Sequence, residues 1–190
     1  GTLELALALA PSARTVLALT ADDTASSRAN SDRFRRAARA LEGRMRPVDL
    51  RNVTLEAAKK ALAAAPRDAV AVRLAPIKND RGDAPLMGED LAALAAVSQV
   101  PIFCLWDFDL NLGTVGGRVL RGQDQGRAAA ALVEQVLAGK KPADIPVTDV
   151  PAETVLDHAV MTRLGLPMDR APKDALFENA PASLYERHKG

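Results

Sequence analysis

Short, nearly continuous apolar runs recur along the first two thirds of the chain. The clearest span residues 15–19, 69–74 and 100–105, and residues 45–50 and 113–120 are weaker examples. Apolar runs of this length are typical of parallel strands that helices cover on both faces. We therefore expect these segments to form the strands of a buried sheet.

The segments between these runs carry apolar residues at the i, i+3, i+4 spacing of amphipathic helices. Thr54 is a candidate N-cap, and Gly43, Pro66 and Gly139 are candidate helix ends. Strands and helices that alternate every ~20–30 residues predict right-handed crossovers and a doubly wound parallel sheet, an α/β fold in three α/β/α layers. The apolar helix positions are Phe34, Ala37, Ala38, Leu41; Ala58, Ala61, Leu62, Ala65; Leu91, Leu94, Ala95; and Ala129, Leu132, Val133, Val136, Leu137.

The pattern changes after residue 146, where prolines interrupt the chain repeatedly. One short strand candidate, residues 154–156, and one short helix candidate, residues 159–164, lie in this part. We expect residues 1–146 to form an α/β lobe and residues 147–190 to form a Pro-rich crossover and tail, an appendage without a core of its own.

Composition excludes several classes of protein. Of 190 residues, 48% are hydrophobic, which is enough for a real core. Lys and Arg number 25 against 24 Asp and Glu, and the arginines are spread along the chain, so no nucleic-acid partner is expected. Cys104 is the only cysteine, so the chain forms no internal disulfide. The longest apolar stretches, such as residues 3–10, fall short of the ~18 residues of a membrane helix.

Asp22 and Asp23 follow the first predicted strand, where paired acids hold a divalent cation in the receiver domains of response regulators. The other parts of that site are missing, because the third strand ends in Leu-Ala-Pro at residues 74–76, without a phosphorylatable Asp. The favoured interpretation is a solvated loop or a helix cap that involves Asp23 or Thr24.

Other candidate chemistry is equally incomplete. The glycine-rich stretch at residues 112–117 matches no nucleotide-binding motif, and we expect a tight turn in which Gly116 and Gly117 allow close backbone approach. His158 and His188 stand in no zinc-binding or nucleophile pattern. The sequence predicts no catalytic residue, no metal site and no cofactor, and hence not an enzyme.

The most suggestive local feature is Trp106-Asp107-Phe108-Asp109, which directly follows the predicted strand at residues 100–105. It should lie at the carboxyl edge of the sheet, where ligands of open α/β folds bind. An exposed aromatic residue flanked by acids suits stacking and hydrogen bonding with a small ligand, and it equally suits a protein interface.

Several motifs carry a family resemblance through their order and spacing. Asp68-Ala-Val-Ala-Val-Arg-Leu74 is followed by Lys78-Asn-Asp-Arg-Gly82, then by Gly113-Thr-Val-Gly-Gly117, and the stretch that begins Gln125-Gly-Arg-Ala-Ala129 runs on to Pro146. Together they resemble the substrate-binding proteins of ABC transporters, a periplasmic-binding-protein type I-like family that also serves as the extracytoplasmic sensor region of histidine kinases. The ending, residues 177–187, is similar to the stretch that leads into a transmembrane helix in such sensors, although Tyr185 stands where those endings have Trp.

The resemblance covers residues 2–187, but only as the second half of a two-lobed unit. It implies a small-molecule ligand held between lobes, no cofactor, a periplasmic location and a membrane-anchored parent protein. In the family the chain after Pro146 crosses back toward the first lobe. The residues just beyond the strand ends are the expected ligand-binding residues of this lobe: Thr20, Asp23, Lys78, Trp106 and Asp107.

Two alternatives to a sensor stay open at this point. One is a free substrate-binding protein that delivers a small solute to an ABC importer. The other is an interaction module that has lost its ligand and works as a homodimer.

Overall fold

The computed structural model describes residues 1–86 and 88–181, and seven strands in this part of the chain form one sheet. The strands lie side by side in the order β2-β1-β3-β4-β5-β6-β7. All pairs from β2 to β5 are parallel, whereas β6 runs antiparallel to β5 and β7 runs parallel to β6. The predicted α/β fold is confirmed. The strands are β1 (Thr15–Thr20), β2 (Arg46–Arg51), β3 (Ala69–Arg73), β4 (Ile102–Phe103), β5 (Gly116–Val119), β6 (Glu153–Asp157) and β7 (Leu176–Glu178).

Helices cover both faces of the sheet. Val16 and Ala18 of β1 face one apolar cluster, and Leu17 and Leu19 face the other, because successive side chains of a strand point to opposite faces. α1, α2 and α6 contribute to the first cluster, and α3 and α4 contribute to the second. The helices are α1 (Thr2–Leu9), α2 (Ala25–Arg39), α3 (Leu55–Ala63), α4 (Glu89–Val97), α5 (Gly122–Leu137) and α6 (His158–Arg163).

Side chains at the helix starts explain where α2 and α3 begin. The Thr24 side chain accepts a hydrogen bond from the Ser27 N–H, and the Thr54 side chain accepts one from the Ala57 N–H. Both threonines thereby satisfy a backbone donor that the first helical turn leaves free. The predicted caps are confirmed, and the loop between β1 and α2 is fixed at the carboxyl edge of the sheet.

The apolar start of the chain forms α1, a helix that the amphipathic pattern did not predict. Most of its residues are buried, with Leu9 and Ala6 fully so. A helix that is apolar nearly all round lacks the polar face on which the 3.6-residue pattern depends. Within the described residues, no helix combines the length and the apolar character needed to cross a membrane.

Gly116 and Gly117 begin strand β5, so the predicted tight turn at these positions is wrong. A Cβ on Gly116 would overlap the carbonyl oxygen of Val155 in β6, and one on Gly117 would overlap that of Cys104. Gly116 also has a positive φ of 103°. The two glycines do allow close backbone approach, as expected, but they allow it between neighbouring strands.

Strands β6 and β7 belong to the seven-stranded sheet, which corrects the expectation of a C-terminal appendage. β6 lies between β5 and β7, and its Val155 and Leu156 are fully buried. The prolines that suggested an appendage mark the loops on either side of this strand, while the apolar run itself pairs with β5. The division of the chain at residue 146 stays a prediction.

α5 stands apart from the rest of the molecule. None of its residues is buried, and Val133, Val136 and Leu137 are 56%, 41% and 82% exposed. Its predicted apolar stripe is therefore present but largely uncovered by the described residues.

Candidate functional site

A cleft with a volume of about 230 Å³ opens at the carboxyl edge of β1, β3 and β4. This is the edge at which open α/β sheets bind ligands, because the loops that follow the strands converge there. The cleft is lined by Thr24, Ser26, Ser27, Asn30, Arg73, Leu74, Ala75, Pro76, Trp106, Phe108 and Asp109.

The first turns of α2 form a polar wall of the cleft. Thr24 and Ser27 are joined by hydrogen bonds between their side chains and each other's backbone N–H groups, which fixes both hydroxyl groups. The Asn30 amide donates to the Leu74 carbonyl at 3.0 Å and ties α2 to the loop that follows β3. Hydroxyl and amide groups held in this way can donate to or accept from a polar ligand.

Two aromatic rings also line the cleft. The rings of Trp106 and Phe108 stack with centroids 5.9 Å apart and an angle of 7° between their planes. They sit on a 3₁₀ turn, Asp107–Asp109, and Phe108 is 52% exposed. An exposed stacked pair offers a flat apolar face to a ring or chain of a ligand.

Among the residues that line the cleft, a buried arginine lies between two buried carboxylates. Arg73, the last residue of β3, donates from Nη1 to Asp109 Oδ1 at 2.6 Å and from Nη2 to both oxygens of Asp90, at 3.1 and 3.2 Å. Asp90 also accepts the backbone N–H of Ile77 at 2.8 Å. The side chains of these three charged residues are at most 3% exposed. Buried charges of this kind persist only when they are paired and hydrogen-bonded.

Burial changes the protonation chemistry around this network. Desolvation raises the pKa of Asp109 to about 6, even though the adjacent Arg73 acts in the opposite direction. Desolvation also raises the pKa of the Cys104 thiol to about 12, so Cys104 is an inert core residue, as its apolar run suggested.

Of the five sequence-predicted ligand residues, Trp106 lines the cleft and the other four do not. Thr20 is buried at the end of β1, and its hydroxyl has no hydrogen-bond partner among the described residues. Asp23 Oδ2 pairs with Lys78 Nζ at 2.9 Å, which lowers the pKa of Asp23 because Lys78 donates to its carboxylate. Asp107 Oδ2 accepts the backbone N–H of Gly122 at 2.9 Å, at the start of α5.

The other candidate groups also have structural partners. Asp22 accepts from the Ser31 hydroxyl and pairs with Arg51, so Asp22 and Asp23 turn to different partners. In the described part of the chain, no three His, Cys, Asp or Glu side chains are grouped as metal ligands. His158 makes an edge-on contact with the Phe177 ring, whereas His188 and Tyr185 lie outside the described residues.

Sequence reasoning missed Arg73, Asp109 and the polar residues of α2 as parts of the site. A signal for Arg73 was present, because a charge inside an apolar strand must find a buried partner. Asp109 was visible in the Trp-Asp-Phe-Asp segment, but only the 3₁₀ turn determines which of the two acids faces inward. Ser26, Ser27 and Asn30 gave no signal.

Among the solved structures that resemble this one, three match it over 90% or more of its length. The ligand-free, open structure of a substrate-binding protein with adhesive properties from Clostridium difficile gives a TM-score of 0.68 at 15% identity, over 95% of this chain and 59% of that one. An ABC domain in complex with L-Trp from Streptococcus pneumonia gives 0.65 at 20% identity, over 90% of this chain and 56% of that one. A conserved domain protein from Vibrio cholerae gives a TM-score of 0.66 at 14% identity, over 92% of this chain and 58% of that one.

These similarities establish the fold, which is the mostly parallel α/β fold of substrate-binding proteins. No protein-family model matches the sequence, and no curated protein matches it. The chain spans between 56% and 59% of the length of the three structures that it resembles.

Proposed function

We propose that this chain forms one wall of a ligand-binding cleft in an extracytoplasmic domain, and that the cleft binds a small solute without catalysing a reaction. The observation that carries the proposal is the cleft itself. The cleft lies at the ligand-binding edge of an α/β sheet. It is lined by the stacked rings of Trp106 and Phe108 and by residues of a buried charge network. The fold shared with substrate-binding proteins supports a binding role.

The volume of the cleft supports a shared site. About 230 Å³ lies below the ~300–1,000 Å³ of a typical small-molecule pocket, so a second wall is needed to enclose a ligand. The family resemblance implies a first lobe, and the chain spans less than two thirds of the structures that it resembles. We propose that a first lobe from the rest of the protein supplies the second wall.

α5 supports the same view. Its apolar residues Val133, Val136 and Leu137 are exposed, and Val147 beyond it is 99% exposed. A helix with an uncovered apolar stripe normally packs against another element. A first lobe that covers α5 would be tethered beside the cleft, and its closure over a ligand would shift the equilibrium between open and closed forms by the ligand's differential affinity.

As the finer assignment, we propose that the domain is the sensor region of a membrane-bound signal transduction protein, most simply a histidine kinase. The resemblance of residues 177–187 to membrane-proximal sensor endings supports this assignment over a free binding protein of an ABC importer. Separation of the natural full-length protein into membrane and soluble fractions distinguishes the two, because a sensor stays with the membrane after a high-pH wash and a free importer protein does not.

Trp106 provides a direct test of ligand binding, because it is the only tryptophan in this chain. The complete extracytoplasmic region is titrated with non-indole amino acids, organic acids and sugars while tryptophan emission is recorded. L-Trp, the ligand named for one similar structure, is titrated by calorimetry instead, since it is itself fluorescent. Any tryptophan in the rest of the region is replaced by phenylalanine beforehand.

A solute that binds the cleft should change the emission of Trp106 with a saturable dependence on concentration. Replacement of Phe108 by Ala should weaken the binding of that solute, because the ligand loses one of the two stacked rings that it contacts. Replacement of Leu86 by Ala serves as the control, because Leu86 is an exposed apolar residue that does not line the cleft. A calorimetric signal without any change at Trp106 would place the ligand elsewhere, and no binding by any solute would favour a dimerising interaction module.

A further inference from the structure

The Asp109 carboxylate is buried, but only one of its two oxygens accepts a hydrogen bond within the described residues. Its Oδ1 accepts the short hydrogen bond from Arg73, while its backbone carbonyl accepts from the Thr114 hydroxyl at 3.0 Å. Among the residues that the structure describes, none donates to Oδ2. Because Asp109 is one of the residues that line the cleft, we expect this unused acceptor to be within reach of a ligand.

The charges of the network do not balance. Arg73 carries one positive charge, whereas Asp90 and Asp109 together carry two negative charges when both are ionised. Both oxygens of Asp90 are occupied, by Arg73 and by the Ile77 N–H, so the excess negative charge belongs to Asp109. A buried excess charge is costly unless a further positive group or hydrogen-bond donor compensates it.

We propose that Asp109 is the specificity-determining residue of the cleft and that it binds the ammonium group of a cationic ligand, whose apolar part lies against Trp106 and Phe108. An ammonium group has three donors and one positive charge, so it satisfies Oδ2 and neutralises the network at once. The stacked rings add an apolar and cation-attracting surface next to the same carboxylate. This inference rests on the proposed ligand-binding function and names the ligand class for that site.

Arg73 is the positioning residue in this arrangement. Arg73 donates to Oδ1 of Asp109 and, at the same time, to the carboxylate of Asp90. Because Arg73 is itself anchored to Asp90, it holds the Asp109 carboxylate in one orientation. The positive charge of the guanidinium is already offset, because both of its terminal nitrogens donate to carboxylates. With one arginine and two carboxylates, the network has a net negative charge when both acids are ionised, and we therefore expect the site to prefer a cation over an anion of the same size.

A set of matched ligands tests the charge preference. Phenethylamine, phenethyl alcohol and phenylacetate share a ring and differ in the charge of the polar end. Trp106 emission of the complete extracytoplasmic region should report binding of phenethylamine at least roughly tenfold tighter than binding of the alcohol or the acid. In Asp109→Asn this preference should disappear, because the amide is a neutral isostere that can still accept from Arg73. Asp144→Asn removes an exposed charge far along the chain and is the matched control.

The outcomes separate this inference from the proposed function. If the alcohol or the acid binds as tightly as the amine, or if Asp109→Asn retains the preference for the amine, the inference is overturned while the ligand-binding function stands. If none of the three ligands alters Trp106 emission and the broader solute screen also fails, both are overturned. If solutes of the broader screen bind but phenethylamine does not, only the cationic class is overturned.

A second measurement on the unaltered protein does not depend on the folding of a variant. Binding of an ammonium group requires ionised Asp109, whose pKa is raised to about 6, so amine affinity should fall as the pH is lowered through that value. The charged and titratable groups around Asp109 are Arg73 of β3, Asp90 of α4, Cys104 after β4 and the adjacent Asp107. Affinity for phenethyl alcohol should stay constant over the same range, and a parallel fall for both ligands would contradict the role of Asp109.

Discussion

At the scale of single residues, the site depends on one arginine held between two carboxylates. Arg73 is 3% exposed and pairs with Asp109 at 2.6 Å and with Asp90 at 3.1 Å. In water an ion pair of this kind contributes little, but here all three groups are buried, and removal of Arg73 would leave two buried carboxylates without compensation. The network therefore links the stability of the lobe to the shape of the cleft.

The raised pKa of Asp109 predicts a pH dependence of stability. Its folded value of about 6 lies above the ordinary value of 3.8, so the folded state binds this proton more tightly than the unfolded chain does. The corresponding stabilisation is complete below the unfolded value and is lost as the pH rises through about 6. Relative to Asp109→Asn, the free energy of unfolding of the unaltered chain should thus decrease between about pH 4 and about pH 7.

Urea denaturation of both chains across this range measures the difference directly. Since every other titratable group is common to the two chains, the comparison isolates Asp109. A difference in unfolding free energy that is constant with pH would show that burial does not raise the pKa of this carboxyl group.

The sequence located the site at the level of a segment rather than of individual side chains. Trp106 follows a predicted strand and does line the cleft, so the edge of the sheet was predictable from strand order alone. The neighbouring Asp107 was chosen in place of Asp109, because only the 3₁₀ turn sends Asp107 toward Gly122 and Asp109 toward Arg73. Asp23 and Lys78 pair with each other, a contact across two loops that no local pattern encodes.

At the scale of elements, most strands and helices were predicted, including the weakly patterned β2 and β5, whereas α1 and β7 were not. β1 and β3 are buried throughout and apolar except for Thr15, Thr20 and Arg73 at their ends, so their runs were unambiguous. β4 is only two residues long, although the apolar run around it is longer, because Pro101 has no N–H to donate to a neighbouring strand. β6 was predicted as an isolated strand candidate, and its place in the sheet depends on pairing with β5.

The glycines of β5 and α5 provide a matched test of the packing between strands. In Gly117→Ala the new methyl group would overlap the Cys104 carbonyl oxygen, so we expect a loss of stability of about 1–3 kcal/mol. In Gly126→Ala, within α5, the new methyl group meets nothing within 4 Å, and the change should stabilise the helix by about 0.5–1 kcal/mol.

Thermal or urea unfolding of the two variants beside the unaltered chain measures both effects. If Gly117→Ala and Gly126→Ala change the free energy of unfolding by the same amount, the close approach of β5 to the chain at Cys104 is contradicted.

At the scale of the whole molecule, three observations support the proposal that the chain forms one wall of a larger binding domain. The cleft is open and small, α5 presents an uncovered apolar stripe, and the fold covers between 56% and 59% of similar structures. Periodicity in the sequence predicted α5 correctly as an amphipathic helix. It could not predict that α5 would lie away from this sheet, because periodicity identifies an apolar face without identifying what covers it.

Hydrogen–deuterium exchange of the complete extracytoplasmic region, with and without a ligand found by the Trp106 titration, tests the central claim most directly. If the cleft is the binding site, ligand should slow the exchange of backbone amides in two separate segments, at residues 24–30 of the α2 start and at residues 106–110 of the aromatic turn. Protection confined to other parts of the protein, with both segments unchanged, would contradict a ligand site at the carboxyl edge of this sheet.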